Sequence, residues 1–215
     1  MTTPLSNRRG HFVVDDTIGA ALLIASLYGQ KKDNYSIVAT NLYSAQKIYE
    51  FLLNFLPENK LIFFPADELL RAEALSSSKE LMAQRLYAMG QALTAKDSIL
   101  ITHPSAAMRF LPTKDEFKKH VLQFEKGKKL NIAEVKKQLT EMGYRRVNKI
   151  DQTLQFASRG DILDIYSVNY PKPIRIEFFD DDIEAIKFFE ISSQISAESI
   201  EKVTILPGSD VFLNQ

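Results

Sequence analysis

At 215 residues and 24.5 kDa the chain has room for one large or two small folding units. Its 45% hydrophobic and 25% charged residues suit a protein with a packed core. With no cysteine, disulfides, thiol nucleophiles and thiolate metal sites are excluded, and His11, His103 and His120 stand too far apart for a short metal-ligand spacing. Net charge is zero, no apolar run reaches the ~18 residues of a membrane helix, and the opening MTTPLSNRRG lacks the apolar core of a secretory signal. A cytoplasmic, soluble protein without a nucleic-acid grip spread over its whole surface is expected.

The first half alternates strand and helix. His11–Val14 reads as a short buried strand, and Asp15 or Asp16 can cap a helix over Thr17–Tyr28. Tyr35–Thr40 is a second strand. Asn41 can cap a helix over Ser44–Leu56, in which Ile48, Phe51, Leu52 and Phe55 recur at helical spacing. Leu61–Phe64 is a third strand, a helix follows near Lys79–Leu93, and Ser98–Thr102 is a fourth strand. Such alternation predicts an α/β unit with a parallel sheet covered on both faces.

After Pro112 the rhythm changes. Val121–Phe124 is a strand, and Asn131 caps an amphipathic helix Ile132–Met142 that stops at Gly143. Closely spaced strands follow at Tyr144–Ile150, Leu154–Ser158, Ile162–Tyr166, Ile174–Phe179, Ala185–Phe189 and Val203–Leu206, several joined by tight polar turns. This predicts an α+β unit with a mainly antiparallel sheet. Charge changes at the same place: residues 1–108 are neutral, 109–149 carry 12 basic and 5 acidic groups, and 150–215 carry 5 basic and 12 acidic. A boundary near residue 110 is expected, with the two charged stretches compensating each other by packing.

The turn after the first strand reads Asp15-Asp16-Thr17-Ile18-Gly19-Ala20-Ala21. A phosphate-binding loop needs glycines, a Lys for the β/γ oxygens and a Ser or Thr for Mg²⁺. Here Ala20 and Ala21 replace the Lys and the hydroxyl, and two carboxylates would repel a triphosphate, so no cofactor is expected at Gly19, Ala20 and Ala21. Asp67-Glu68, after an apolar strand, looks like a Mg²⁺ pair but has no phosphate-binding Lys to serve, and reads as a solvated loop. Arg159-Gly160-Asp161 is the adhesion tripeptide, in a chain with no export signal. Consecutive carboxylates Asp180-Asp181-Asp182 diverge in a hairpin turn and read as solvated, with a steering role toward a basic partner. The basic residues Lys118-Lys119, Lys126, Lys128-Lys129, Lys136-Lys137 and Arg145-Arg146 lack the interleaved aromatics of a single-strand platform and read as solvated lysines and arginines.

Two stretches are distinctive: Arg159-Gly160-Asp161-Ile162-Leu163-Asp164-Ile165-Tyr166, and Arg175-Ile176-Glu177-Phe178-Phe179-Asp180-Asp181-Asp182-Ile183. Together they resemble the UvrB-homology region of the bacterial transcription-repair coupling factors (the Mfd family) and, more distantly, the repair helicase UvrB. Weaker similarity runs from about His11 to Pro207. The resemblance implies a helicase-like parallel-sheet domain with a degenerate P-loop at residues 1–110. An inserted α+β domain at 111–207 would be recognised by UvrA, and 208–215 would begin the return to the first domain. It implies an N-terminal fragment of a longer ATP-driven double-stranded DNA translocase, whose motor and RNA polymerase contacts lie outside these residues. The fragment itself would be non-catalytic, and a monomer is expected.

Strand periodicity adds an observation of its own. Ile174, Ile176 and Phe178 make an apolar face, which leaves Arg175, Glu177 and Phe179 on the face that should be solvated. Aromatic plus Arg is the composition of an interface hot spot. Arg159 reaches the same face if the strands pair, and Arg159, Arg175 and Phe179 match the family's UvrA-contacting positions. On residue chemistry alone the alternative is a surface pair of Arg175 with Glu177, Asp164 or Asp161 and a Phe179 tucked under its turn. Two other functions remain open: a UvrB-type DNA-damage helicase fragment and a basic nucleic-acid-binding module.

Overall fold

The computed structural model describes Val14, residues 16–66 and residues 79–210. Apart from Val14, the expected strand His11–Val14 lies outside the described residues, as do Asp67 and Glu68. Helix α1 (Thr17–Gln30) begins where the Asp16 carboxylate accepts the Gly19 N–H at 2.7 Å, so Asp16 is its cap. Strand β1 (Tyr35–Val38) leads to α2 (Leu42–Leu52), whose cap Asn41 accepts from the Ser44 N–H at 2.8 Å. This helix stops four residues short of expectation: the Asn54 side chain donates to the carbonyls of Glu50 and Phe51, and Phe55 is left exposed. Then come β2 (Leu61–Phe63), α3 (Lys79–Thr94) and β3 (Ile99–Thr102). The three strands pair in parallel in the order β1-β3-β2. Ala21, Tyr28, Ala45, Ile48 and Leu52 of α1 and α2 bury one face with Ile99 and Ile101, while Ala88 of α3 packs with Ile62 and Phe64 on the other.

Two short helices that the apolar spacing does not announce, α4 (Pro104–Ala107) and α5 (Lys114–Lys119), carry the chain onward. The remaining elements are β4 (Leu122–Glu125), α6 (Ile132–Glu141), β5 (Arg145–Arg146), β6 (Gln155–Arg159), β7 (Ile162–Tyr166), β8 (Ile174–Phe179), β9 (Asp182–Phe189), β10 (Ser196–Ser199) and β11 (Lys202–Ile205). A six-stranded sheet runs β10-β9-β8-β7-β6-β5, antiparallel except for β5 beside β6. Strands β4 and β11 form a separate antiparallel ribbon. Alternate residues of the sheet (Phe156, Leu163, Ile165, Ile174, Ile176, Phe178) face the core, which Val135 and Leu139 of α6 and Phe124, Val203 and Ile205 of the ribbon close. The fold is thus mixed α/β, with one parallel and one mainly antiparallel sheet. Among the described residues no helix is long and apolar enough to cross a membrane.

The two sheets are joined through α3. Leu86 packs with Phe117 and Leu206, and Arg85, 1% exposed, donates through Nε to Asp210 at 2.8 Å. Arg109 approaches the same carboxylate at 3.5 Å.

Candidate partner-binding face of the six-stranded sheet

Opposite the core, the sheet turns its other alternate residues onto a second face. Cross-strand register places Ala157, Asp164, Arg175 and Lys187 in one row, and Arg159, Ile162, Glu177 and Ala185 in the next. Phe179 lies two residues further along β8, about 7 Å on, opposite Asp182. Arg159, Arg175 and Phe179 therefore share one face. A bulge in the β8–β9 pair, between Glu177 and Phe178, sets Glu184 outward while Phe178 and Ile183 both stay in the core.

One end of this face is covered. Residues 147–150 were expected to continue a strand, but only Arg145–Arg146 pairs, and it does so in parallel with β6. The Val147 N–H still donates to the Phe156 carbonyl at 2.9 Å, and beyond it Ile150 is buried with Ala157 and Phe189. Toward the β8–β9 turn the cover ends, and the Phe179 ring is 70% exposed. Large aromatic rings on a solvated sheet face are uncommon, and this one is not tucked beneath its turn.

Arg175 is held from three sides. Its Nε and Nη2 donate to the two oxygens of Asp164 at 2.8 and 2.9 Å, and its Nη1 donates to the Gln194 carbonyl at 3.2 Å. Its guanidinium also stacks over the Phe189 ring at 4.6 Å. Hydrogen bonding to Asp164 raises the Arg175 pKa further above its ordinary value. Of the three carboxylates considered from the sequence, Asp164 is the partner, since it sits directly across β7 in the same row. Glu177 pairs instead with Lys187, at 2.9 and 3.0 Å. Arg159, on the exposed rim, donates through Nη2 to the Asn148 carbonyl at 2.8 Å.

The neighbouring acidic turn does not gather its carboxylates. Asp181 accepts the Leu130 N–H through its backbone carbonyl, and Asp182 faces Lys129 at 3.5 Å. Among the described residues no three His, Asp or Glu side chains come together as a metal site. In the other half of the chain, the N–H groups of Gly19 and Ala20 are already engaged by the Asp16 side chain and carbonyl, at 2.7 and 3.1 Å, and Ala21 is buried. Sequence reasoning missed the parts played by Asn148 and Gln194, whose carbonyls accept from Arg159 and Arg175. No periodicity marks them, because they reach the face from loops.

Comparison with known proteins adds a family context. Residues 122–210 match the model of the UvrB interaction domain. The chain is 28% identical over 193 residues to a transcription-repair-coupling factor of Staphylococcus aureus (strain bovine RF122 / ET3-1), covering 90% of this chain and 16% of that protein. It is 29% identical over 177 residues to the transcription-repair-coupling factor of Bacillus subtilis (strain 168), covering 82% of this chain and 15% of that protein. The chain spans about a sixth of the length of the curated relatives it matches. The face that carries Phe179 thus lies within a segment matching the UvrB interaction domain, in a chain similar over nine tenths of its length to the transcription-repair coupling factors.

Proposed function

We propose that this chain is a non-catalytic recruitment module of a transcription-repair coupling factor. Its second face docks UvrA through Arg159, Arg175 and Phe179, bringing nucleotide excision repair to stalled RNA polymerase. In this reading residues 1–110 form a helicase-like domain without a working ATP site, 111–207 form the UvrA-interaction domain, and 208–215 return to the first. Double-stranded DNA translocation and polymerase contacts belong to other parts of such a protein. The observation that carries the reading is the exposed Phe179 ring on the face shared with two guanidinium groups, inside the matched segment. Aromatic and Arg side chains dominate the energetics of protein interfaces, whereas isolated surface charges contribute little.

Phe179→Ala is the decisive variant, because an exposed ring can be removed without opening the core. Calorimetric titration with UvrA should show a loss of about 2–4 kcal/mol with an unchanged circular dichroism spectrum. Wild-type affinity in Phe179→Ala would remove the assignment. Micromolar ATP binding by the chain would point instead to a UvrB-type helicase, and it is not expected from a loop whose first N–H groups are already satisfied by Asp16.

A further inference from the structure

A cavity of about 260 Å³ opens on the docking face between Arg159 and Arg175. Its floor is the row Ala157, Asp164 and Arg175. The strap Asn148–Lys149 forms one wall, tied down by the Arg159 bond to the Asn148 carbonyl. The Gln194 turn forms another, fixed by the Arg175 bond to its carbonyl. Ile162, 37% exposed, makes an apolar rim.

Charge in this cavity is unbalanced. Lys149, Arg159 and Arg175 line it against a single carboxylate, Asp164, whose two oxygens are both taken by Arg175. Lys149 makes no ion pair among the described residues, and Arg159 spends only Nη2 on the strap. Two cationic residues, exposed Lys149 and Arg159, thus border the opening, and Arg159 keeps donors beyond Nη2. The volume falls below the ~300–1,000 Å³ of small-molecule pockets, and Ala157 on the floor with Ile162 at the rim suits a short aliphatic stem. We infer that this cavity receives one Glu or Asp side chain of the docking partner, its carboxylate held by Lys149 and Arg159 while Arg175 and Asp164 supply a rigid floor. A guanidinium and an ammonium converging on one carboxylate give charge-assisted hydrogen bonds, the strong kind.

The inference rests on the docking reading, with Phe179 as apolar anchor and the cavity as charge-selective socket. Its test uses purified UvrA and three variants of the full chain, titrated at low and high salt. Lys149 is exposed, so reversing its charge leaves the fold intact. Lys149→Glu should weaken binding about tenfold or more and flatten the salt dependence, while Lys149→Arg stays within about twofold of wild type. Lys149→Glu at wild-type affinity, with Phe179→Ala still deficient, would overturn the socket and leave the docking reading standing. Failure of the wild-type chain to bind UvrA would remove both. DNA-duplex retention lost in Lys149→Glu while UvrA binding is unchanged would assign the cavity to nucleic acid and likewise overturn the inference.

Discussion

Arg175 shows how a residue can be both structural and available to a partner. Its two inner donors are committed to Asp164, at side-chain exposures of 18% and 13%, and its plane is clamped against Phe189. Arg175→Ala would leave Asp164 without its counter-charge in a largely buried site, so its effect on binding mixes lost contact with lost order. Asp164→Asn separates the two. It removes the charge from the fork while keeping one acceptor, and should lower stability by about 1–3 kcal/mol in urea denaturation. Because it also lets the guanidinium swing, UvrA affinity should fall although Asp164 itself is largely covered by Arg175. Unchanged affinity in a destabilised Asp164→Asn would show that the orientation of Arg175 is irrelevant to docking. Phe179 carries less such ambiguity, since it is 70% exposed and lies outside the core.

Among the elements, the end of α6 and the exit from β11 are fitted to each other without side chains between them. Gly143 ends the helix with φ +93°, a left-handed conformation that suits glycine at this position. Gly208 lies against it: its N–H donates to the Met142 carbonyl at 2.7 Å, and an added Cβ would meet the Gly143 carbonyl carbon at 3.0 Å. These neighbours are backbone and cannot rotate away. Gly208→Ala should cost about 1–3 kcal/mol, read as a lowered urea midpoint. Much of this architecture was legible in the sequence. Period-two alternation in 174–179 gave both faces of β8, and the polar residues Asp15 or Asp16, Asn41 and Asn131 marked three helix starts, the second within two residues. What stayed hidden depends on contacts distant in the chain. The short helices α4 and α5 are too brief for periodicity to register, and β10 takes its register from β9 across an irregularity. The strap at 147–150 leaves its strand for a burial site made by β6 and β9. For the candidate site, the shared face of Arg159, Arg175 and Phe179 followed from strand alternation and pairing, whereas the socket between them required loops that no local pattern marks.

Across the whole molecule, the parallel and antiparallel sheets are bound by an ion cluster in which, among the described residues, two guanidinium groups meet one carboxylate. Arg85 and Arg109 share Asp210, and among the described residues Nη1 of Arg85 and Nε of Arg109 are buried without a hydrogen-bond partner. Asp210→Ala would strand two guanidinium groups, one of them wholly inside, and should destabilise the protein by about 3–5 kcal/mol. Urea unfolding followed by tyrosine fluorescence should register the loss, and a change below about 1 kcal/mol would mean that water reaches the cluster. Arg109 precedes the antiparallel part and Asp210 follows it, so one carboxylate pins the outgoing and the returning chain side by side. Beside it Leu86, Phe117 and Leu206 pack together, so loss of the carboxylate removes the polar half of a joint whose apolar half is left in place.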